Sequence, residues 1–116
     1  MVQALHTALS GLTAFARTVQ TTAHNLANMH TAGFTRSRSE FQETLDGGVR
    51  ASDITDQVPA PIFQQTSQGS HFEMQSHVDI GEEMVNLRLA QREFELNASV
   101  VSTSDHMLGT VLNIRK

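Results

Sequence analysis

Six histidines, twelve acidic residues and an abundance of serine and threonine are the side chains through which this 116-residue sequence could do chemistry. Metal binding on a helix asks for two ligands about one turn apart with an acidic companion, so that they face one ion. His6, His24, His30, His71, His77 and His106 contain no such pair, and the absence of cysteine removes both thiolate sites and disulfides. General acid and base work asks for two titratable groups set across a substrate. Glu82 with Glu83, and Glu93 with Glu95, read instead as solvated helix faces, while the middle of the chain offers a hydrolase only scattered carboxylates such as Asp53, Asp56 and Glu73. No Gly-x-Ser-x-Gly elbow surrounds a serine, and no glycine-rich phosphate loop follows a strand. Asn97-Ala98-Ser99 has the form of a glycosylation acceptor but falls inside a helical pattern. The sequence therefore predicts no catalytic residue, no metal and no cofactor.

Composition narrows the partners. The net charge is −4, with eight Lys and Arg against twelve acidic residues and no basic run before Arg115-Lys116, so nucleic acid is not expected. No stretch approaches the roughly 18 apolar residues of a membrane span. Nor does the beginning of the chain carry a basic leader followed by an apolar core and a cleavage site, so neither membrane insertion nor Sec export is expected. One domain is the expectation for this length, with all six aromatic residues Phe.

What positions these residues is two long periodic stretches. Leu5, Leu9, Leu12, Ala16, Val19, Ala23 and Leu26 alternate at steps of four and three, the heptad spacing of a helix that packs along its length, with Ala8, Phe15 and Thr22 widening one flank. The spacing predicts a helix over about 3–28, roughly 39 Å long. Ile80, Met84, Leu87, Gln91, Phe94, Ala98, Val101, Asp105, Leu108 and Leu112 repeat the pattern and predict a second helix over about 79–114. Asp79 opens it as an N-cap, with Glu82 three residues on in position to reach back to the cap.

Between them lie both prolines and four of the seven glycines, with Asp-Gly-Gly at 46–48 and Val-Pro-Ala-Pro at 58–61. The prolines force extended backbone over 58–65, and short strands are expected at Phe34–Phe41 and His71–Gln75. The expected fold is mainly α: residues 1–34 and 78–116 form a helical core in which the two helices make an antiparallel coiled coil, and 35–77 is a short β or irregular connection. The intrachain seam is expected to be Leu5, Leu9, Leu12, Val19 and Leu26 against Met84, Leu87, Phe94, Val101, Leu108 and Leu112.

One partner helix does not cover all the apolar surface. Leu89 and Leu96, and Val100, Met107 and Ile114, recur at intervals of seven beside the second stripe. Leaving three or four such side chains in water forgoes about 1.5 to 3 kcal/mol each, a sum comparable with the stability of a small domain. Val100, Met107 and Ile114 are therefore expected to contact neighbouring subunits, and the isolated chain to fray at both ends. Gln91 and Asp105 interrupt the stripe, Asp105 as a residue turned to water and Gln91 as either that or a register-setting polar contact.

The break after the first helix, "NLANMHTAGF", completes the pattern. Asn25 and Asn28 stand one turn apart where the last carbonyls lose their intrahelical partners, Gly33 permits a reversal, and Phe34 can anchor the exit. In "ALSGLTAFARTVQTTAHNLANMHTAGFTR" the residues Ser10, Gly11, Leu12, Asn25, Ala27, Asn28, Thr31, Gly33 and Phe34 resemble the N-terminal signature of bacterial flagellar rod and hook proteins. The run from Val78 to Lys116 resembles the C-terminal signature of the same family. The resemblance implies an axial structural subunit whose terminal helices pair and pack beside those of other rod or hook subunits, as a homo-oligomer or mixed assembly, in a tubular core. It also implies a place in the periplasmic rod of the basal body and export through the flagellar type III apparatus without a cleaved signal peptide. Ala32 and Phe34 replace the usual proline and tyrosine, and the short middle resembles proximal-rod members rather than the hook and distal rod. The alternative is a coiled-coil adaptor or export accessory that keeps the signature without entering a rod.

Overall fold

The computed structural model describes residues 2–57, 64–66, 69–71 and 76–114. Two long helices, α1 (Val2–Ala27) and α2 (Ile80–Ile114), are separated by two small antiparallel hairpins. β1 (Ser37–Glu43) pairs with β2 (Val49–Thr55), from Ser37 opposite Thr55 to Glu43 opposite Val49. β3 (Gln64–Thr66) pairs with β4 (Gly69–His71). The mainly helical architecture with a small β middle is as the periodicity predicts. The first strand starts and ends later than the expected Phe34–Phe41; residues 58–63 and 72–75 lie outside the described residues.

Local chemistry sets the element ends. Past Ala27 the amide of Asn28 still donates to the His24 carbonyl (3.2 Å), Thr31 N donates to Asn28 O (2.9 Å), and Phe34 N to Thr31 O (3.1 Å). Gly33, at φ 70°, makes the left-handed step that turns the chain toward β1. In the β1–β2 turn Gly47 takes φ 77°, and the Thr44 hydroxyl accepts from Gly48 N at 3.1 Å. Asp79 caps α2 through Oδ1, which accepts from the amides of Gly81 (2.8 Å) and Glu82 (3.2 Å). The reciprocal half of the expected box is not made: the Glu82 carboxylate is held by Arg36 at 2.7 Å.

The helices run antiparallel. Asn25 meets Glu83 near one end of the pair, and Gly11 abuts Asn97 further along. The same register brings Val2 opposite His106, so the last two turns of α2 extend beyond α1.

Large side chains do not form the seam between them, which corrects the sequence reading. The buried apolar residues among those described are Ala8, Ala14 and Ala90, joined by Gly11, Thr22, Asn25, Glu83 and Ser104. Four expected seam residues stand outside it: Leu9 is 57% exposed, Met84 48%, Phe94 40% and Leu112 73%. Leu5, Leu12, Val19, Leu26, Leu87, Val101 and Leu108 are half-buried along its edges.

The reason is close approach. An ideal Cβ on Gly11 would lie 2.9 Å from Asn97 Nδ2. Small residues let the two backbones come together and gain dispersion contact that bulky ones would prevent. On α1 the seam runs through 8, 11, 22 and 25 where the heptad stripe runs through 9, 12, 23 and 26; on α2 it runs through 83, 90, 97 and 104 instead of 84, 91, 98 and 105. One residue is about 100° of helix. Because the helices are antiparallel, equal shifts turn both stripes to the same side, so they lie next to one another on one face instead of meeting.

Candidate assembly surface and its polar supports

The side of α1 turned toward the β1–β2 hairpin is polar. Thr7 Oγ1 donates to the Gly47 carbonyl (3.0 Å), and Ser10 Oγ accepts from Val49 N (3.1 Å). Arg17 grips Asp53 Oδ2 through Nε (2.9 Å) and a second guanidinium nitrogen (2.7 Å). Thr21 Oγ1 donates to Asp53 Oδ1 at 2.7 Å, and Ser39 Oγ lies 3.3 Å from the same oxygen. Together these donors hold the Asp53 carboxyl below its ordinary pKa, the Arg17 hydrogen bond contributing most. A single aromatic contact, Phe15 to Phe41 at 5.3 Å between centroids, accompanies this ladder.

Asn25 is the deepest support, at 1% exposure. Its amide nitrogen donates to the Ser37 carbonyl (2.6 Å) and to Glu83 Oε1 (3.1 Å), while its oxygen accepts from Ser37 N (2.9 Å). One side chain thus ties α1 to the start of β1 and the first turn of α2. Beside it Arg36 donates to Asp56 (2.9 Å) and Glu82 (2.8 Å) and lies 3.9 Å from Glu83, drawing together both ends of the hairpin and α2. Hydrogen bonding to Glu82 raises the Arg36 pKa despite the opposing cost of burial. Burial pushes the Glu83 carboxyl upward, with Asn25 and Arg36 opposing.

The family turn residues divide the work. Asn28 donates to the His24 carbonyl (3.0 Å) and accepts from Thr31 Oγ1 (3.3 Å), and Phe34 packs edge-on against His24 at 5.6 Å. Gln91 and Asp105 are both exposed, and Gln91 donates to Glu95 at 3.2 Å. Glu83, read from the sequence as solvated, is buried. Its signal was present: the interval of seven through Glu83, Ala90, Asn97 and Ser104 marks a column of small or polar residues. Arg36 and Asp53 had no such signal, since their ion-pair partners lie 20 to 47 residues away and only the fold joins them.

The outside of the helix pair is apolar. Val85, Leu89, Leu96, Val100, Met107 and Ile114 form a stripe along α2, with Val100 and Met107 each 45% exposed and Ile114 78%. Among the described residues no His, Asp and Glu cluster could hold a metal, and no helix is long and apolar enough to cross a membrane.

The helix pair thus has small residues inside, a hydrogen-bonded hairpin on one flank and large apolar residues outside. Two family descriptions match its halves: "Flagella basal body rod protein" over residues 5–35 and "Flagellar basal body rod FlgEFG protein C-terminal" over residues 71–114. The chain belongs to the flagellar basal-body rod and hook family. It is 50% identical over 44 residues to the flagellar basal-body rod protein FlgG of Caulobacter vibrioides, an alignment covering 38% of this chain and 17% of that protein. It is 47% identical over 41 residues to FlgG of Borreliella burgdorferi, covering 35% and 16%. Against the flagellar hook protein FlgE of Escherichia coli it is 42% identical over 40 residues, covering 34% and 10%. The match thus spans about a sixth of these rod proteins' length and a tenth of the hook protein's.

Proposed function

We propose that this chain is a structural subunit of the bacterial flagellar basal-body rod, and that it self-assembles through its terminal helices into a tubular axial structure. The observation that carries this reading is the inversion of the helix pair. Fifteen large apolar side chains are exposed among the described residues, while the buried apolar ones are three alanines. Each large side chain fully buried by a neighbour would contribute about 1.5 to 3 kcal/mol. Assembly therefore supplies the hydrophobic stabilisation that the single chain lacks.

In this reading Val100, Met107 and Ile114 contact neighbouring subunits, and the half-buried Leu5, Leu12, Val19, Leu26, Leu87, Val101 and Leu108 brace the edges of the intrachain seam. The partners are other rod or hook subunits, reached by export through the flagellar type III apparatus without a cleaved signal peptide, and the subunit occupies the periplasmic rod. The short middle favours the proximal rod. Replacing Met107 and Ile114 together with Asp is expected to abolish motility while leaving monomer helicity unchanged. Wild-type motility would sink the interface, and a chain missing from purified basal bodies would favour the adaptor or export accessory instead.

A further inference from the structure

We infer that the groove between the β1–β2 hairpin and the outer stripe of α2 receives helix α1 of a second copy of this chain. The inference rests on the assembly reading above and names the surfaces that meet.

The hairpin lies along α1, bound to it by the ladder from Thr7 to Asn25, and past the junction of Asn25 and Arg36 with Glu83 it leaves the same side of α2 open. Where the two meet there is a groove of about 180 Å3, in which Phe15, Phe41, Leu89 and Ala90 form the apolar part of a lining that is otherwise polar, Arg38 and Asn86 included. Phe41 is 44% exposed and forms its wall; Leu89, 58% exposed, begins its floor. The floor continues along α2 at helical spacing through Leu96, 57% exposed, and Val100 and Met107. One wall and one stripe make an open channel along α2.

On the face of the pair away from the hairpin, α1 carries the heptad stripe, whose Leu5, Leu12, Val19 and Leu26 edge the seam. Leu9, Ala16 and Ala23 are its exposed members. No charged residue interrupts it, and from Leu5 to Leu26 it is about 32 Å long, matching the roughly 33 Å from Val85 to Met107.

Charge decides which helix enters. α2 carries five acidic residues and two arginines, so placing α2 of one copy on α2 of another sets like charge against like. α1 carries one arginine and no acidic residue. Its stripe can lie on α2 without that repulsion. Because the donating face and the receiving groove are on opposite sides of the molecule, the contact is head-to-tail and can repeat from copy to copy.

The chain has no cysteine, so pairs can be introduced cleanly. Leu96→Cys is combined in turn with Leu9→Cys, Ala16→Cys and Ala23→Cys, and the full-length protein is mildly oxidised at concentrations where the wild type sediments as an assembly. One of the three combinations is expected to give a ladder of dimers, trimers and higher species, and mixtures of the two single variants to give mixed dimers only. Dimerisation of Leu96→Cys alone, or no ladder from any pair in an assembled sample, overturns the inference. In cells, Leu96→Cys cross-linking only to a different basal-body protein overturns it too while leaving the rod reading intact. A wild-type chain that never assembles and is absent from basal bodies overturns both.

Discussion

The inside and the outside of the helix pair have exchanged their usual contents. Inside, Ala8, Gly11, Asn25, Ala90, Asn97 and Ser104 offer little apolar area but strict geometry. Outside, Leu9, Met84, Leu96, Met107, Leu112 and Ile114 offer exposed area that no described residue covers. The difference separates two tasks that a globular core performs at once. Small and hydrogen-bonded groups fix register, because a shifted pairing leaves buried polar atoms unsatisfied. Large side chains supply a driving force that is released only when another molecule covers them.

If the inside sets register, its most buried hydrogen-bonding residue should matter most. Asn25→Ala leaves Ser37 N, Ser37 O and a Glu83 oxygen without their partner in a dry site. We expect a loss of about 3 kcal/mol, from a cost of about 1 to 3 kcal/mol for each group left unsatisfied, measured by urea titration of helical circular dichroism. A loss under about 0.5 kcal/mol, the scale of an ordinary surface change, would mean that the inside is passive filler.

Close packing comes next, and here the comparison can reverse sign. Gly11→Ala gains helix propensity of about 1 kcal/mol, yet its methyl meets the Asn97 side chain at 2.9 to 3.1 Å. Asn97 cannot withdraw without breaking its 3.0 Å bond to the Glu93 carbonyl. We expect Gly11→Ala to destabilise by about 1 kcal/mol in the wild-type background. In an Asn97→Ala background the same change should stabilise by about 1 kcal/mol. A double-mutant cycle with no coupling would show that the helices are not held at this distance.

This inversion also explains what the sequence disclosed. Both helices were legible to within a residue at either end, because periodicity needs no knowledge of the partner. The cap at Asp79 was legible for the same reason: it acts within three residues. Side-chain size points to a seam one residue away from the observed one, because in this chain the large residues mark the surface that remains open. A glycine in the middle of a long helix was the available clue, since it costs helix stability unless something packs against it. The Arg36 and Asp53 clusters were illegible because each joins segments far apart in the chain, and Glu82 is drawn from its cap by Arg36 from 46 residues away.

Two carboxylates sharpen the comparison through pH. Asp53, on the hairpin side, has a depressed pKa, so its contribution is complete above the unfolded value of about 3.9 and is lost as pH falls through the lower folded value. Glu83, in the seam, has a raised pKa, so its contribution is complete below the unfolded value of about 4.3 and is lost as pH rises through the folded one. Glu83→Gln keeps an acceptor for Asn25 and removes the buried charge. We expect it to raise stability at neutral pH by on the order of 1 kcal/mol, and Asp53→Asn to lower stability there while flattening the acid limb. Urea titrations between pH 3 and pH 8 would separate the two, and a Glu83→Gln variant less stable than wild type at every pH would show that its charge is needed by Arg36.

The smallest effect tests how far the polar ladder resembles the seam. Arg17 makes two short contacts with Asp53, but its side chain is 54% exposed. An exposed pair contributes at most about 1 kcal/mol and is screened by salt. Thr21, 7% exposed, serves the same carboxylate from beneath. Arg17→Met should therefore give a small loss at low salt and close to none in about 0.5 M salt. Thr21→Val should cost about 1 kcal/mol at either concentration, because it leaves one lone pair of a partly covered carboxylate unmatched. If both losses vanish in salt, the hairpin is held by exposed electrostatics and can swing away from α1, and the groove it walls has no fixed width. If the Thr21 loss persists, the hairpin is fixed through its buried row, and the channel beside α2 keeps its shape before any neighbour arrives.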